Sequence, residues 1–235
     1  MAKAIVAVFA VFAAVLVLAS GCVMPIEKIS IKAEDGIVIA SYYYDNENPK
    51  ANVLLLHALG RNKADWDGLA KELQKKGYAV LAVDFRAHGE SWGAIGSQLD
   101  YQKFILDVKA GEFFLRTEHP SKELIIGGAS IGANLGLQFA SQNTDANVTK
   151  LVLLSPGLDY KGIATDRFIE DYSNYIFIAA AKDDIYAYNS AQELSLRTAS
   201  PASKRTFIFV DGIAHGTFLL NDKAFKKGLI DWVIK

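Results

Sequence analysis

One serine of this chain lies where its hydroxyl could act as a nucleophile. Ser130 is the third residue of Gly128-Ala129-Ser130-Ile131-Gly132, between the apolar run 124–126 and a segment with helical spacing that begins at Ile131. A G-x-S-x-G turn between a strand and a helix lifts the serine above the edge of a sheet. We expect Gly128 and Gly132 to be required because a Cβ there would collide with neighbouring backbone. The pattern alone is weak, since ordinary tight turns also collect small residues.

A base and an acid that could activate this serine follow it in the chain. A serine hydroxyl needs a base within hydrogen-bond reach and a carboxylate that orients the base. Asp183 and Asp184 follow the apolar run 175–181, and His215 follows the run 205–210. Parallel strands bring their carboxyl ends to one edge of a sheet, where ligands bind. The sequence therefore predicts a catalytic triad of Ser130, an aspartate and His215.

Two aspartates compete for the role of the acid. We favour Asp183 because it is closest to the end of the predicted strand. Asp184 is kept as the alternative acid because it could instead cap the following helix, a position where aspartate is common.

The other three histidines are poorer candidates for the base. His57, His88 and His119 all precede Ser130 in the chain, whereas in this arrangement the base follows the acid. The histidines also lack the close His-x-His or H-E-x-x-H spacing that is typical of zinc sites. We therefore expect neither a metal nor a cofactor.

Attack by a serine creates an oxyanion that two backbone N–H groups must stabilise. The N–H of Ile131, directly after Ser130, is the first candidate. The second should come from the loop 57–60, which follows the apolar run 51–56.

The rest of the sequence predicts the elements that would position these residues. Alternating apolar and polar residues at 26–33 and 37–44 flank Asp35-Gly36, which indicates an antiparallel hairpin. Strands are then predicted at 51–56, 78–85, 124–129, 148–155, 175–181 and 205–210, and helices at 66–76, 98–117, 131–141, 186–199 and 218–233. This alternation predicts a three-layer α/β/α sandwich with a mostly parallel sheet of about eight strands. Only about 18 residues, 156–173, are left for a cap, so we expect a minimal cap or none.

Composition limits the class of protein and of partner. The chain has 235 residues, of which 51% are hydrophobic, and this suits one domain with a large core. Its formal net charge is −1 and it has no run of basic residues, so nucleic acid is not an expected partner.

The N-terminus has the pattern of an export signal. Lys3 precedes the apolar run 4–19, which is too short for a spanning helix and ends in small residues before Cys22, the only cysteine. This resembles the lipobox of prokaryotic lipoproteins, where the cysteine is lipidated, although Ala19 stands where leucine is usual. We predict a signal peptide at 1–21, a tether at 22–26 and an extracytoplasmic domain at 27–235, anchored to the membrane through Cys22. Plain secretion or an uncleaved signal anchor is the alternative.

Four stretches together resemble the α/β-hydrolases of the serine esterase type. They are His57-Ala58-Leu59-Gly60, residues 84–91 (DFRAHGES), the turn around Ser130, and Ala214-His215-Gly216. The resemblance covers about residues 27–235. It implies that the N–H of Leu59 is the second oxyanion donor and that Asp84 and His88 belong to a structural turn. The chain departs from the family pattern at Ala58 and Ala87, each of which stands where glycine is common; the oxyanion loop needs Ala58 to adopt the same backbone angles.

The resulting hypothesis is a serine hydrolase that cleaves carboxylic esters through an acyl-enzyme. Relatives with this machinery also cleave thioesters, lactones and peptides. Aromatic residues that could line the site are Trp92, Tyr160 and Tyr186. The alternative from another class is a non-catalytic lipoprotein that binds a small acyl ligand or a protein partner, and Ala58 is the feature that favours it.

Overall fold

The computed structural model describes residues 25–93 and 99–235 of the chain. The signal peptide predicted at residues 1–21 and the lipidation predicted at Cys22 lie outside these residues and stay predictions. Within the described part of the chain, no helix is long and apolar enough to cross a membrane.

Within residues 25–93 and 99–235, eight strands form one sheet, flanked by five α-helices. The sheet order is β1-β2-β4-β3-β5-β6-β9-β10, and a separate pair, β7-β8, lies between β6 and β9 in the chain. The strands are β1 Glu27–Lys32, β2 Val38–Tyr44, β3 Asn52–Leu56, β4 Ala79–Val83, β5 Leu124–Ala129, β6 Val148–Leu154, β7 Asp159–Tyr160, β8 Ile163–Ala164, β9 Tyr175–Ala181 and β10 Arg205–Val210. The α-helices are α1 Asp67–Lys75, α2 Phe104–Glu118, α3 Ile131–Gln142, α4 Ile185–Arg197 and α5 Lys223–Ile234.

The predicted architecture is confirmed. β1 pairs antiparallel with β2, and β2 antiparallel with β4, while the other neighbours in the large sheet are parallel. The carboxyl ends of β3, β5, β6, β9 and β10 therefore meet at one edge, as the triad prediction requires.

Both faces of the sheet are covered, which explains the continuous apolar runs. In β3, Leu54 and Leu56 pack in the core formed with α2, α3 and α4, whereas Val53 and Leu55 pack in the core formed with α1 and α5. Successive side chains of a strand point to opposite faces, so a strand covered on both sides must be apolar throughout.

Two predicted helices begin differently from the sequence expectation. The closing helix, predicted at 218–233, is divided into a 3₁₀ segment Gly216–Asn221 and α5. Asp222 separates them because its side chain accepts hydrogen bonds from the N–H groups of Ala224 and Phe225, at 2.8 and 3.0 Å, and so caps a new helix. The helix predicted at 98–117 is α2, which starts at Phe104 after a 3₁₀ turn at Tyr101–Lys103.

The short segment between β6 and β9 carries a two-stranded hairpin, β7-β8, in place of a cap. Asn134 of α3 holds it: its side-chain amide donates to the carbonyl of Ile163 at 2.7 Å, and its side-chain oxygen accepts from the N–H of Gly157 at 3.1 Å. The hairpin is thus fixed to the helix that follows Ser130.

A buried ion pair anchors the turn at residues 84–91. The Lys63 ammonium contacts the Asp84 carboxylate at 2.6 Å, and both side chains are almost fully buried. Asp84 also accepts from the N–H groups of Lys63 and Glu90, at 2.6 and 2.8 Å. The turn is therefore held by charge and hydrogen bonds within the core, as the structural interpretation of Asp84 expects.

Removing one partner of this pair should destabilise the fold strongly. We expect Lys63→Met to lower the free energy of unfolding by about 3–5 kcal/mol, because it leaves the Asp84 carboxylate buried without its counter-ion. Lys71→Met is the matched control: Lys71 pairs with Asp67 at 2.7 Å on a partly exposed helix face, and such solvent-accessible pairs contribute less than about 1 kcal/mol. Urea denaturation measures both variants, and similar losses in the two would contradict this account.

Candidate active site

Ser130 lies in a strained turn at the carboxyl edge of the sheet. Its backbone angles are φ 54° and ψ −122°, between the end of β5 and the start of α3. A side chain with positive φ costs about 1–2 kcal/mol, and its N–H donates to the carbonyl of Leu154 at 2.9 Å. The turn is thus tied to the neighbouring strand, β6.

The steric role predicted for the two glycines is confirmed. A Cβ on Gly128 would lie 2.3 Å from the carbonyl oxygen of Gly132, and a Cβ on Gly132 would lie 2.5 Å from that of Leu56. Real Cβ atoms do not approach backbone so closely. Only glycine at both positions therefore lets β5, α3 and the end of β3 come together around Ser130.

His215 is oriented by Asp184, the residue kept as the alternative acid. The Nδ1 atom of His215 lies 2.6 Å from Oδ2 of Asp184. Asp183, the favoured candidate, is exposed, and its N–H donates to the carbonyl of Gly212, in the histidine loop, at 3.0 Å. The side chain that contacts His215 is therefore that of Asp184 and not that of the favoured Asp183, and the choice of the triad acid stays a prediction.

The turn after β9 explains why the Asp184 side chain faces His215. The N–H of Asp184 donates to the carbonyl of Ala181 at 3.1 Å, so the chain turns back within three residues of the strand end. Asp184 occupies the N-cap position of α4, but its side chain makes no capping hydrogen bond. Its carboxylate is consequently free to bind the histidine.

The histidine loop packs against the residue that precedes the serine. Gly216 has φ 59°, and a Cβ there would lie 3.2 Å from the Cβ of Ala129. The N–H of Gly216 donates to Oγ of Ser155, at the end of β6, at 2.9 Å. Among the described residues, no hydrogen bond joins Ser130 to His215 directly; such bonds often tighten only when substrate binds.

The loop after β3 leaves one of its amides without a hydrogen-bond partner in the described part of the chain. The carbonyl of Ala58 accepts from the N–H of Arg61 at 3.1 Å and lies 2.7 Å from Nδ1 of His57. Because the peptide unit is planar and trans, the N–H of Leu59 points in the opposite direction to that carbonyl. Within the described part of the chain, the Leu59 N–H has no hydrogen-bond partner. The N–H of Ile131 belongs to the first residue of α3, where an amide has no partner within the helix.

The two alanines that replace common glycines behave differently. The φ angle of Ala58 is not positive, so the loop 57–60 does not need a conformation that only glycine adopts easily. Ala87, in contrast, has a positive φ of 60°. Ala58 therefore does not prevent this loop from adopting the conformation that an oxyanion donor at Leu59 requires.

His57 serves as a buried support for this loop. The N–H of Phe85 donates to its Nε2 at 2.9 Å, which assigns the proton to Nδ1, facing the carbonyl of Ala58. Burial lowers the pKa of His57 to about 4. His88 packs against it, with ring centroids 5.2 Å apart. Among the hydrogen bonds and ring contacts of the described residues, none joins His57 or His88 to His215 or Asp184.

Exposed apolar side chains lie on the loops that carry the site residues. An open cavity of about 630 Å³ lies beside His215 and is lined by Ile213 and Phe218 among others. Leu59, Ile185 and Tyr186 are also exposed. Of the aromatic residues considered from the sequence, Tyr160 and Tyr186 are close together, with ring centroids 5.4 Å apart, while Trp92 is exposed.

Comparison with known proteins identifies the family. The family model described as Hydrolase_4, serine aminopeptidase S33, matches residues 47–175, more than half of the chain. The chain belongs to this family. The match includes the loop after β3 and the Ser130 turn, whereas Asp184 and His215 lie after its end. The resemblance to α/β-hydrolases drawn from the four sequence stretches is thereby confirmed.

Curated proteins that are similar to this Hydrolase_4 member include monoglyceride lipases. It is 26% identical over 123 residues to a monoglyceride lipase homolog of monkeypox virus, covering 52% of this chain and 44% of that protein. It is 24% identical over 126 residues to rat monoglyceride lipase, covering 54% and 41%. The chain therefore matches less than half the length of these curated relatives.

Solved structures show the same fold. The esterase Pf2001 of Pyrococcus furiosus superposes with a TM-score of 0.75 at 21% identity, covering 89% of this chain and 92% of that one. An esterase from Exiguobacterium antarcticum superposes with a TM-score of 0.72 at 15% identity, covering 89% and 100%. At such identities the likeness concerns the fold alone.

The burial of His57 predicts a pH dependence of stability. Its pKa of about 4 in the folded protein is below the ordinary value of about 6.5, so the unfolded chain binds the proton more tightly. This contribution is fully present above about pH 6.5 and is lost as the pH falls towards 4, by up to about 1.4 kcal/mol per pH unit and about 3 kcal/mol in total. Urea denaturation between about pH 7 and 4.5 should show a shallower pH dependence for His57→Gln than for the parent chain. Parallel curves would contradict this assignment.

Proposed function

We propose that this Hydrolase_4 member is a serine hydrolase that cleaves carboxylic esters through an acyl-enzyme. The observation that carries the proposal is the 2.6 Å contact between Asp184 and Nδ1 of His215, at the sheet edge where the strained turn displays Ser130. An acid on Nδ1 leaves Nε2 of the imidazole free to act as the base, the arrangement that activates a serine.

The proposed reaction follows from these roles. His215 Nε2 takes the proton of the Ser130 hydroxyl as Oγ attacks the ester carbonyl, and Asp184 stabilises the imidazolium. The N–H groups of Leu59 and Ile131 stabilise the oxyanion. His215 then gives the proton to the leaving alcohol, and water hydrolyses the acyl-Ser130 by the same steps.

Carboxylic esters are the proposed substrates because of the surroundings of the site. The exposed apolar side chains on the loops of the site and the cavity beside His215 suit an uncharged acyl chain. The named relatives, monoglyceride lipases and esterases, act on esters. Thioesters, lactones and peptides remain substrates that the same machinery would attack, and a substrate panel that includes an aminoacyl p-nitroanilide ranks them.

A set of three variants tests the proposed machinery. Ser130→Ala should abolish turnover of p-nitrophenyl butyrate and covalent labelling by a fluorophosphonate probe. Asp184→Asn should lower kcat by roughly 10²- to 10⁴-fold because it removes the charge that orients His215. The matched control is Asp183→Asn, which changes an exposed carboxylate but keeps the backbone N–H that binds Gly212, and its kcat should stay within about twofold. Full activity of Ser130→Ala, or equal losses in the two aspartate variants, would overturn the assignment.

We further propose that the enzyme is an extracytoplasmic lipoprotein anchored through Cys22. The support is the sequence pattern of residues 1–22: a basic residue, a short apolar run, and small residues before the single cysteine. The five residues 22–26 would then connect the lipid to the start of β1 and span at most about 17 Å.

Metabolic labelling tests the anchor. In a bacterial host that processes lipoproteins, the parent chain should incorporate labelled palmitate, and Cys22→Ala should not. Ser20→Ala, which leaves the cysteine in place, is the control and should still be labelled. A parent chain that stays unlabelled in the membrane fraction would indicate a signal anchor, and one recovered unlabelled in the soluble extracytoplasmic fraction would indicate secretion; either result contradicts lipidation.

A further inference from the structure

Tyr160 places a phenol hydroxyl beside the proposed nucleophile. Tyr160 lies on β7, in the hairpin between β6 and β9. Its side chain interacts with that of Ser130, and its hydroxyl donates a long hydrogen bond, 3.4 Å, to the carbonyl of Ser155, the residue after Leu154, whose carbonyl binds the N–H of Ser130. Its ring stands perpendicular to the imidazole of His215, with ring centroids 6.3 Å apart. The phenol therefore approaches Ser130 from the side where the histidine lies.

Close packing fixes the ring in this position. A Cβ on Gly157 would lie 2.6 Å from the ring of Tyr160, so a glycine there makes room for it. On its other side the ring meets Tyr186, whose hydroxyl hydrogen-bonds with the backbone N–H and carbonyl of Asp159, at 3.0 and 2.7 Å. Asn134 holds the base of the same hairpin. The hydroxyl is thus preorganised, which is what a group that stabilises a transition state requires.

The hydroxyl keeps its proton at neutral pH. Burial raises the pKa of the Tyr160 phenol well above its ordinary value and outweighs the interaction with Ser130, which lowers it; the negative charge of Asp184 raises it further. The group is consequently a neutral hydrogen-bond donor at neutral pH, and His215 remains the base.

The backbone amides and the phenol approach the serine from different elements. The amides of Leu59 and Ile131 are assigned to the oxyanion, whereas the Tyr160 hydroxyl comes from the β7-β8 hairpin beside His215. In the tetrahedral intermediate the leaving oxygen lies on the side of the histidine, because the histidine must protonate it. A donor on this side is therefore near the leaving oxygen.

We propose that the Tyr160 hydroxyl donates a hydrogen bond to the leaving-group oxygen during acylation, an inference that rests on the proposed function. The bond between the carbonyl carbon and the leaving oxygen breaks, and the electron pair of that bond goes to the oxygen. The proton that His215 took from Ser130 passes to the same oxygen. The Tyr160 O–H exchanges its long bond to the Ser155 carbonyl for one to this oxygen, keeps its proton throughout, and stabilises the negative charge that develops before the transfer is complete.

This role predicts that Tyr160→Phe affects esters according to their leaving group. An alkoxide leaving group develops more charge that needs stabilisation than p-nitrophenolate does. We expect kcat/KM for ethyl butyrate to fall roughly 10- to 100-fold, the effect of losing a hydrogen bond to a charged group, and kcat/KM for p-nitrophenyl butyrate to fall less than about threefold. The two esters share one acyl group, and kcat/KM reports acylation for both, so slow deacylation does not mask the difference.

Two further variants complete the test. Tyr188→Phe also removes a phenol hydroxyl, one that contacts Gln192 on the surface of α4 at 3.1 Å. It should leave the ratio of the kcat/KM values for the two esters unchanged. Tyr160→Leu removes the ring as well as the hydroxyl. Because it too lacks the hydroxyl, it should lower kcat/KM for ethyl butyrate more than kcat/KM for p-nitrophenyl butyrate. Urea midpoints establish that each variant is folded.

The outcomes separate this proposal from the one on which it rests. If Ser130→Ala is inactive but Tyr160→Phe lowers kcat/KM for both esters equally, or for neither, the role of Tyr160 is overturned and the serine hydrolase stands. If the folded parent chain hydrolyses neither ester and Ser130 takes up no fluorophosphonate, both proposals fail.

Discussion

The candidate site depends on how closely β5 and α3 cross at Ser130. Backbone atoms approach so tightly there that a Cβ on Gly128 or Gly132 would lie within about 2.5 Å of a carbonyl oxygen. The crossing forces Ser130 to positive φ, which costs about 1–2 kcal/mol and must be offset by the packing around it. Ser155, at the end of the next strand, also has positive φ, and its hydroxyl accepts from the N–H of Gly216. Two strained turns on adjacent strands therefore fix the serine and the histidine loop relative to each other.

The oxyanion loop reaches its position by a different route. Its orientation depends on the carbonyl of Ala58, which Arg61 and His57 hold on the protein side, and not on a glycine conformation. This makes a neutral, buried histidine part of the support for a backbone donor. Ala87, unlike Ala58, does adopt a positive φ, 60°. The turn tolerates this conformation because Asp84 and its buried partner Lys63 hold the surrounding backbone.

The sequence was sufficient for the elements because their signals are local. Apolar runs with helical segments between them predict buried parallel strands, and Asp35-Gly36 predicts the hairpin. The sequence could not predict that Asp222 starts a new helix within the closing segment, because a single aspartate in a helical pattern is compatible with an exposed face. Tyr160 was recognised only as one of three aromatic residues that could line the site, since its approach to Ser130 depends on how Asn134 and Gly157 fold the hairpin.

The choice between the two aspartates shows where local reasoning stops. Both residues contact the histidine loop, but through different atoms: the N–H of Asp183 binds the carbonyl of Gly212, and the carboxylate of Asp184 binds the ring of His215. Any residue with an N–H could make the first contact, whereas only an acid could make the second. Distance from the strand end cannot separate them because the turn back to Ala181 decides which side chain faces the histidine. We therefore expect Asp183, nearer the strand, to tolerate substitution, and position 184 to require an aspartate. The sequence alone assigns Asp184 equally well to a helix cap.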